Sequence, residues 1–128
     1  MAPVILLDTH VVLWVYTGDY SRLSAGAAQA LETHDLAVSP VVELELAFLH
    51  EVGRVTDQPA MILSALSSSI GVTVAQIGFA PLCATAVGLT WTRDPFDRLL
   101  AAHSMTAGLQ LLTKDRSLLE NLDLAFWD

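Results

Sequence analysis

Cysteine is almost missing: Cys83 is the one thiol among 128 residues, so no intramolecular disulfide can form. Stability then rests on packing, and a reducing compartment is the natural setting. His10, His34, His50 and His103 stand in no Cys/His spacing of the zinc type, which excludes a structural zinc site. Basic residues are scarce as well. Six Lys and Arg against 14 Asp and Glu leave a formal charge of −8, a balance that excludes a general nucleic-acid coat working by broad phosphate neutralisation. It leaves local contact open. Charged residues make up only 16% beside 53% hydrophobic ones, and this composition excludes disorder.

Long hydrophobic runs are absent too. The apolar run over residues 4–7 is too short for a signal-peptide core and has no basic leader. Residues 58–92 contain no Asp, Glu, Lys, Arg or His, but Ser64, Ser67, Ser68, Ser69, Gly71, Gln76 and Pro81 interrupt them. The pieces are shorter than the roughly 20 apolar residues a bilayer demands. The stretch reads as packed interior with some surface left for a partner. A cytoplasmic location and no membrane contact are the resulting expectations. Neither a Gly-rich phosphate loop, nor a nucleophile elbow, nor a Ser-His-Asp order is present.

What is present is one domain, residues 1–128, in which short apolar runs alternate with longer segments of helical period. That alternation predicts an α/β fold. Strands are expected over residues 3–7, 36–39, 72–77, 110–113 and 124–127. Helices are expected from residue 11, from Ser24 to about His34, over 40–52, 59–70 and 79–89, from Pro95 to Gly108, and from Ser117. Residues 18–23 read as a loop. Ser39 before Pro40 and Asp94 before Pro95 are strong helix starts.

The acids fall in informative places. Asp8 follows a strand and precedes a helix, where a lone Asp is ordinarily an N-cap. Asp94 is an even better cap, with Asp97 three residues on imitating a capping box. Asp115 caps the last helix in the same way. Yet in an open parallel sheet the carboxyl ends of strands face the ligand crevice, so several caps at one edge become a cluster. Glu45 resists the structural reading most. At 100° per residue it falls among Val41, Phe48, Leu49 and Val52, in the middle of the apolar face, while Glu43 shares a solvated stripe with Ala47, His50, Glu51 and Arg54. A carboxylate there is costly unless it is paired or coordinates a metal.

Crowded carboxylates raise one another's pKa and so favour a multivalent cation. Oxygen-only ligation points to Mg²⁺ or Mn²⁺, and those ions serve phosphoryl chemistry by activating water and neutralising charge during in-line attack.

Four strings carry a resemblance to a known family. They are Leu6-Leu7-Asp8-Thr9-His10, then Val38-Ser39-Pro40 leading to Glu45-Leu46-Ala47, then Arg93-Asp94-Pro95-Phe96-Asp97-Arg98-Leu99-Leu100, and Leu111-Leu112-Thr113-Lys114-Asp115-Arg116. Over nearly its whole length the chain resembles the PIN domains, and within them the VapC-type toxins of toxin–antitoxin pairs. The resemblance implies a three-layer α/β/α fold around a mainly parallel sheet of four to five strands. It implies that Asp8, Glu45, Asp97 and Asp115 hold one or two divalent ions, Mg²⁺ or Mn²⁺, for hydrolysis of RNA. Asp94 stands as a fifth acid, with helix capping weighed ahead of metal ligation. Thr9 and Thr113 match hydroxyl positions beside the metal pocket, though both equally suit helix starts. An RNA substrate with tRNA among the candidates, a cognate antitoxin, and a homodimer or a hetero-oligomer with the antitoxin are the implied partners.

Three positions depart from that family pattern: Leu44 where a Trp often stands, Thr92 where a His often stands, and His103-Ser104 where Gln-Ala is usual. None removes a carboxylate. Arg98 and Lys114 read as charge balance for the acids ahead of phosphate contact. His10 reads as a packed or surface histidine, and Trp14, Tyr16 and Trp91 as core aromatics rather than base-stacking platforms. Two other classes compete with a nuclease. A phosphoacceptor signalling domain needs an Asp after a central strand, which Val74-Ala75-Gln76 does not offer, and a non-catalytic binding module would use the acids only as caps.

Overall fold

The structure is a computed structural model that describes residues 2–128. Its centre is β1 (Val4–Leu7), in which Ile5, Leu6 and Leu7 are all buried. A strand covered on both faces has no solvent side to alternate with, so it reads as an unbroken apolar run. Each such leucine contributes about 1.5–3 kcal/mol by burial. The chain continues through α1 (Thr9–Thr17), α2 (Ala25–Thr33), β2 (Asp35–Val38), α3 (Pro40–Glu51), α4 (Pro59–Ile70), β3 (Thr73–Val74) and α5 (Phe79–Val87). It closes with α6 (Pro95–Ala107), β4 (Gln110–Leu112), α7 (Arg116–Asn121) and β5 (Ala125–Phe126).

All five strands are parallel, in the order β3-β2-β1-β4-β5. Leu6 lies between Ala37 of β2 and Leu111 of β4. The chain steps outward from β1 to β2 and β3, then returns to the other side of β1 for β4 and β5. Right-handed crossovers in the two directions place helices on both faces, the expected three layers. The order reverses between β1 and β4, and the carboxyl ends of these strands therefore flank a crevice.

Serine and aspartate set where the helices begin. Asp8, Ser24, Ser39, Asp94 and Asp115 each accept a backbone N–H of the first turn of α1, α2, α3, α6 and α7. α3 and α6 also carry proline in their first turn, where the missing N–H costs nothing. The main core surrounds β1, and a smaller one of Val41, Leu82, Ala86 and Ala102 binds α3, α5 and α6 together.

Three expectations need correction. The strand expected over residues 72–77 is only Thr73–Val74, an edge strand that pairs with Ala37 and Val38 alone. The loop over residues 18–23 contains a single 3₁₀ turn, Tyr20–Arg22. The uncharged residues 58–92 are less interior than expected: Ile62, Leu63, Leu66, Val72, Leu82 and Ala86 are buried, but Met61, Ile70, Val74, Phe79 and Val87 are exposed. An uncharged sequence does not guarantee burial when its helices cover only one side. Among the described residues, no helix is long and apolar enough to cross a membrane.

Candidate active site

The carboxyl ends of β1 and β4 bring Asp8 and Thr113 together across 105 residues of chain. The Asp8 backbone N–H extends the ladder by donating to the Leu112 carbonyl at 3.0 Å. Its carboxylate, in a residue only 6% exposed, accepts from the Thr9 N–H at 2.7 Å and from the Thr113 hydroxyl at 2.7 Å. Thr113 Oγ1 accepts in turn from the Asp115 N–H at 3.0 Å, and Asp115 Oδ1 accepts from the Leu118 N–H at 3.0 Å. The two threonines therefore act as connectors. Thr9 donates its hydroxyl to Glu45 Oε1 at 2.5 Å, which ties the start of α1 to the middle of α3.

Glu45 sits differently from its expected place. The buried residues of α3 are Val41, Val42 and Leu46, whereas Phe48 and Val52 are exposed. Glu45 is half-buried at the rim of this face, because the sheet contacts α3 through Val42 and Leu46 rather than through Phe48. Asp97 differs as well. Asp94 caps α6 by accepting from the Phe96 N–H at 2.9 Å, but among the described residues Asp97 makes no reciprocal capping bond, so the box is not completed. Its half-buried carboxyl belongs instead to the acidic neighbourhood.

Electrostatics shows that neighbourhood directly. Asp97 is pushed up to about 7, first by burial and then by Asp94, Asp115, Asp8 and Glu45. Burial raises Glu45, opposed by the Thr9 hydrogen bond and reinforced by Asp8 and Asp94. Burial also raises Asp8, against the help of His10, Thr113 and Thr9. Five acids thus act on one another. Among the described residues no three His, Cys, Asp or Glu side chains stand in a preformed metal-holding group, so the acids share a field without closing a ligand shell.

His10 has a more definite position than a packed or surface residue. Its Nε2 accepts the Lys114 backbone N–H at 2.9 Å, which leaves the proton on Nδ1, 3.6 Å from Asp8 Oδ2. Burial lowers its pKa and favours this neutral form. The expected charge balance by Arg98 has no counterpart in a contact: its Nε donates to the Thr92 carbonyl at 2.8 Å, and no described ion pair joins it to an acid. Lys114 lies 5.9 Å from the Trp14 ring centre. Trp14, Tyr16 and Trp91 pack against the core but remain partly exposed.

Two residues that the sequence marks only as departures from the family pattern have a supporting place. His103, 1% exposed on α6, makes a 2.7 Å hydrogen bond to Ser39 Oγ, the cap of α3. It thereby links the two helices that carry Glu45 and Asp97. Ser104 beside it donates to the Leu109 carbonyl. The one available signal was the presence of these two polar residues on the apolar face of α6.

β3 is an edge strand, so Val74-Ala75-Gln76 does not end a central one, and the acid that follows the central strand, as a phosphoacceptor would, is Asp8. Asp8 is nonetheless unsuited to the role, since it is buried and both its oxygens are engaged.

Comparison with known proteins agrees with this architecture. The PIN domain family matches residues 5–123. Ribonuclease VapC22 of Mycobacterium tuberculosis is 39% identical over 118 residues, covering 89% of this chain and 88% of that protein. Among solved structures, VapBC2 from Rickettsia felis bound to a promoter DNA fragment superposes with a TM-score of 0.69 at 14% identity, covering 98% of this chain and 99% of the other. A toxin–antitoxin complex from Klebsiella pneumoniae gives 0.68 at 19%, covering 95% of each chain. At those identities the two structures speak for the fold alone. The chain belongs to the PIN-domain family, in its VapC-type branch.

Proposed function

We propose that this protein is a divalent-metal-dependent endoribonuclease and the toxin of a toxin–antitoxin pair. The observation that carries the reading is the shared field of Asp8, Glu45, Asp97 and Asp115 beside the strand-order reversal, with Asp97 pushed up to about 7 first by burial and then by its acidic neighbours. Carboxyls that suppress one another's ionisation favour a hard cation in their midst. The donor set fits Mg²⁺ or Mn²⁺, being all oxygen. The open spacing fits as well, because Mg²⁺ keeps several waters and needs few direct carboxylates. Asp8, Glu45, Asp97 and Asp115 would hold it, and Asp94, already used as a cap, stands at the margin. Such an ion supplies an activated water and neutralises charge on the phosphodiester during in-line attack.

The remaining chemistry belongs to the side chains. Thr113 and the Thr9 N–H fix both Asp8 oxygens, the Thr9 hydroxyl fixes Glu45, and the α7 start fixes Asp115. Asp8, Glu45 and Asp115 are therefore held in place before substrate arrives, which spares reorganisation during reaction. Burial of His10 favours its neutral form, which adds no positive charge to compete with a cation.

Support for the substrate is the ribonuclease named as a relative. Support for an antitoxin is the toxin–antitoxin complexes among the similar structures, together with exposed Leu44 and Phe79, which flank an apolar cavity of about 190 Å³ beside α3. An apolar anchor of a partner chain, whether antitoxin or second copy, suits that cavity. The test is incubation of purified protein with total RNA, with and without Mg²⁺ or Mn²⁺, and mapping of the cut ends. Cleavage is expected only with metal and is expected to vanish in Asp8→Asn. Undiminished cutting by a folded Asp8→Asn protein removes the mechanism.

A further inference from the structure

Of the six cationic residues in this acidic protein, Arg22 and Lys114 lie over Trp14 of α1, and Arg54 lines the cavity beside it. The Arg22 guanidinium lies 5.4 Å from the centre of the Trp14 ring, and Lys114 Nζ lies 5.9 Å from it. Beside Trp14 opens a cavity of about 430 Å³, walled by Trp14, Tyr16, Arg22, Arg54, Thr56 and Asp57 among others. A second, shallower cavity of about 300 Å³ is lined by His10, Trp14, Lys114 and Asp115. Trp14 is the wall they share, so the pair forms a groove whose near end is the acid cluster and whose far end is Arg54.

The groove holds three acids, Asp19, Asp57 and Asp115, against its three cations, but two of the acids are already engaged. Asp19 is committed to Arg22 Nε at 2.8 Å and to Ser21 at 2.9 Å. Asp57 accepts the Tyr16 hydroxyl at 2.5 Å. The same ion pair pins Arg22 while leaving its terminal nitrogens without a hydrogen bond among the described residues. Arg54 is exposed and makes no described ion pair. A guanidinium with free terminal nitrogens and an exposed one, beside an indole and a phenol, combine cations for phosphate with aromatic rings for a base, the pairing that single-stranded nucleic acid uses.

We infer that the groove from Asp115 across Trp14 to Arg54 receives the single strand of RNA flanking the cleaved bond, with Arg22 and Arg54 on its phosphates and the Trp14–Tyr16 wall against a base. This rests on the ribonuclease reading above and adds where an acidic protein finds its phosphate contacts. The cavity beside Trp14 is of the size that holds one small-molecule unit, about 300–1,000 Å³.

The test is fluorescence anisotropy with a fluorescein-labelled, mixed-sequence single-stranded RNA, in EDTA and over a series of salt concentrations, using wild type, Arg54→Ala and Arg54→Lys. Cleavage of the same RNA in Mn²⁺ is read in parallel. Arg54→Ala is expected to weaken binding several-fold and to lower the salt slope by about one, as for a lost phosphate contact, while Arg54→Lys recovers the slope. In cleavage, KM rises and kcat at saturating RNA is unchanged. Equal RNA affinity in wild type and Arg54→Ala overturns the inference, as does an Arg54→Ala protein that keeps RNA binding but loses capture by a co-expressed antitoxin. Wild-type protein that binds RNA through Arg54 yet cuts nothing in Mn²⁺ upholds the groove and removes the ribonuclease reading instead.

Discussion

At the scale of single residues, the candidate site is organised by two hydroxyls. Thr113 serves two acids at once, donating to Asp8 and accepting from the Asp115 N–H. Valine at that position has nearly the same shape but satisfies neither group. Thr113→Val is therefore expected to destabilise the fold by about 1–3 kcal/mol, the cost of leaving buried polar groups unpaired. It is also expected to lower cleavage by loosening Asp8 and Asp115. Urea unfolding of Thr113→Val and Thr113→Ser checks this, with serine recovering most of the loss. Equal midpoints for valine and wild type would show that the hydroxyl carries no such weight. The cap positions of Asp8, Asp94 and Asp115 were legible in the sequence, because a short acidic side chain between a strand and a helix meets free N–H groups wherever the strand later packs. The Ser39–His103 bond was not legible, since it joins residues 64 positions apart.

Among the elements, α2 shows how one small residue sets a close approach. Ser24 caps it and also donates its hydroxyl to the Trp127 carbonyl at 3.1 Å. Gly26, the second residue of the helix, lies so near Asp128 that an added Cβ would stand 2.8 Å from the Asp128 carbonyl carbon and 2.9 Å from its Cα. Backbone cannot swing aside as a side-chain tip does. Alanine is the better helix former by about 1 kcal/mol, but the overlap is expected to outweigh this and make Gly26→Ala destabilising by about 1–3 kcal/mol. A chemical-denaturation midpoint above that of wild type would mean the last residues yield easily. The start of α3 was readable from Ser39 and Pro40, whereas the rotation of Glu45 to its rim was not. Period alone places a residue on a face, and the neighbouring element decides which part of the face is covered.

For the molecule as a whole, the acid cluster makes stability depend on pH. Asp97 is raised from 3.8 to about 7, so the folded state holds its proton more tightly than the unfolded chain does. The associated stability is fully present below the unfolded pKa and is lost as pH rises through about 7. Asp8 and Glu45, also raised by burial, act with the same sign. His10 and His103, both lowered by burial, act in the opposite sense, since acid pulls the unfolded chain's histidines toward protonation as pH falls through 6.5. The difference between wild type and Asp97→Asn isolates the carboxyl. In EDTA, melting curves are expected to show wild type losing stability relative to Asp97→Asn as pH rises from about 4 to 8, over a raised carboxyl's range. Saturating Mn²⁺ is expected to flatten the wild-type loss by stabilising the ionised form. A difference that stays constant with pH would show that the acids do not press on Asp97.

The amino-acid order by itself determined the class of fold and most element positions, because strand burial, capping and helical period are local patterns that each segment carries with it. It also singled out the acids, whose types and chain positions already limit the chemistry they can share. Only the tertiary structure decided that β1 is central and β3 marginal, that Glu45 leans on Thr9, that Arg98 serves a backbone carbonyl, and that Arg22 and Lys114 lie over Trp14 with Arg54 on the cavity beside it. Those facts depend on which surfaces face each other after the sheet is assembled, and proximity between residues far apart in a chain is a property of packing rather than of any segment.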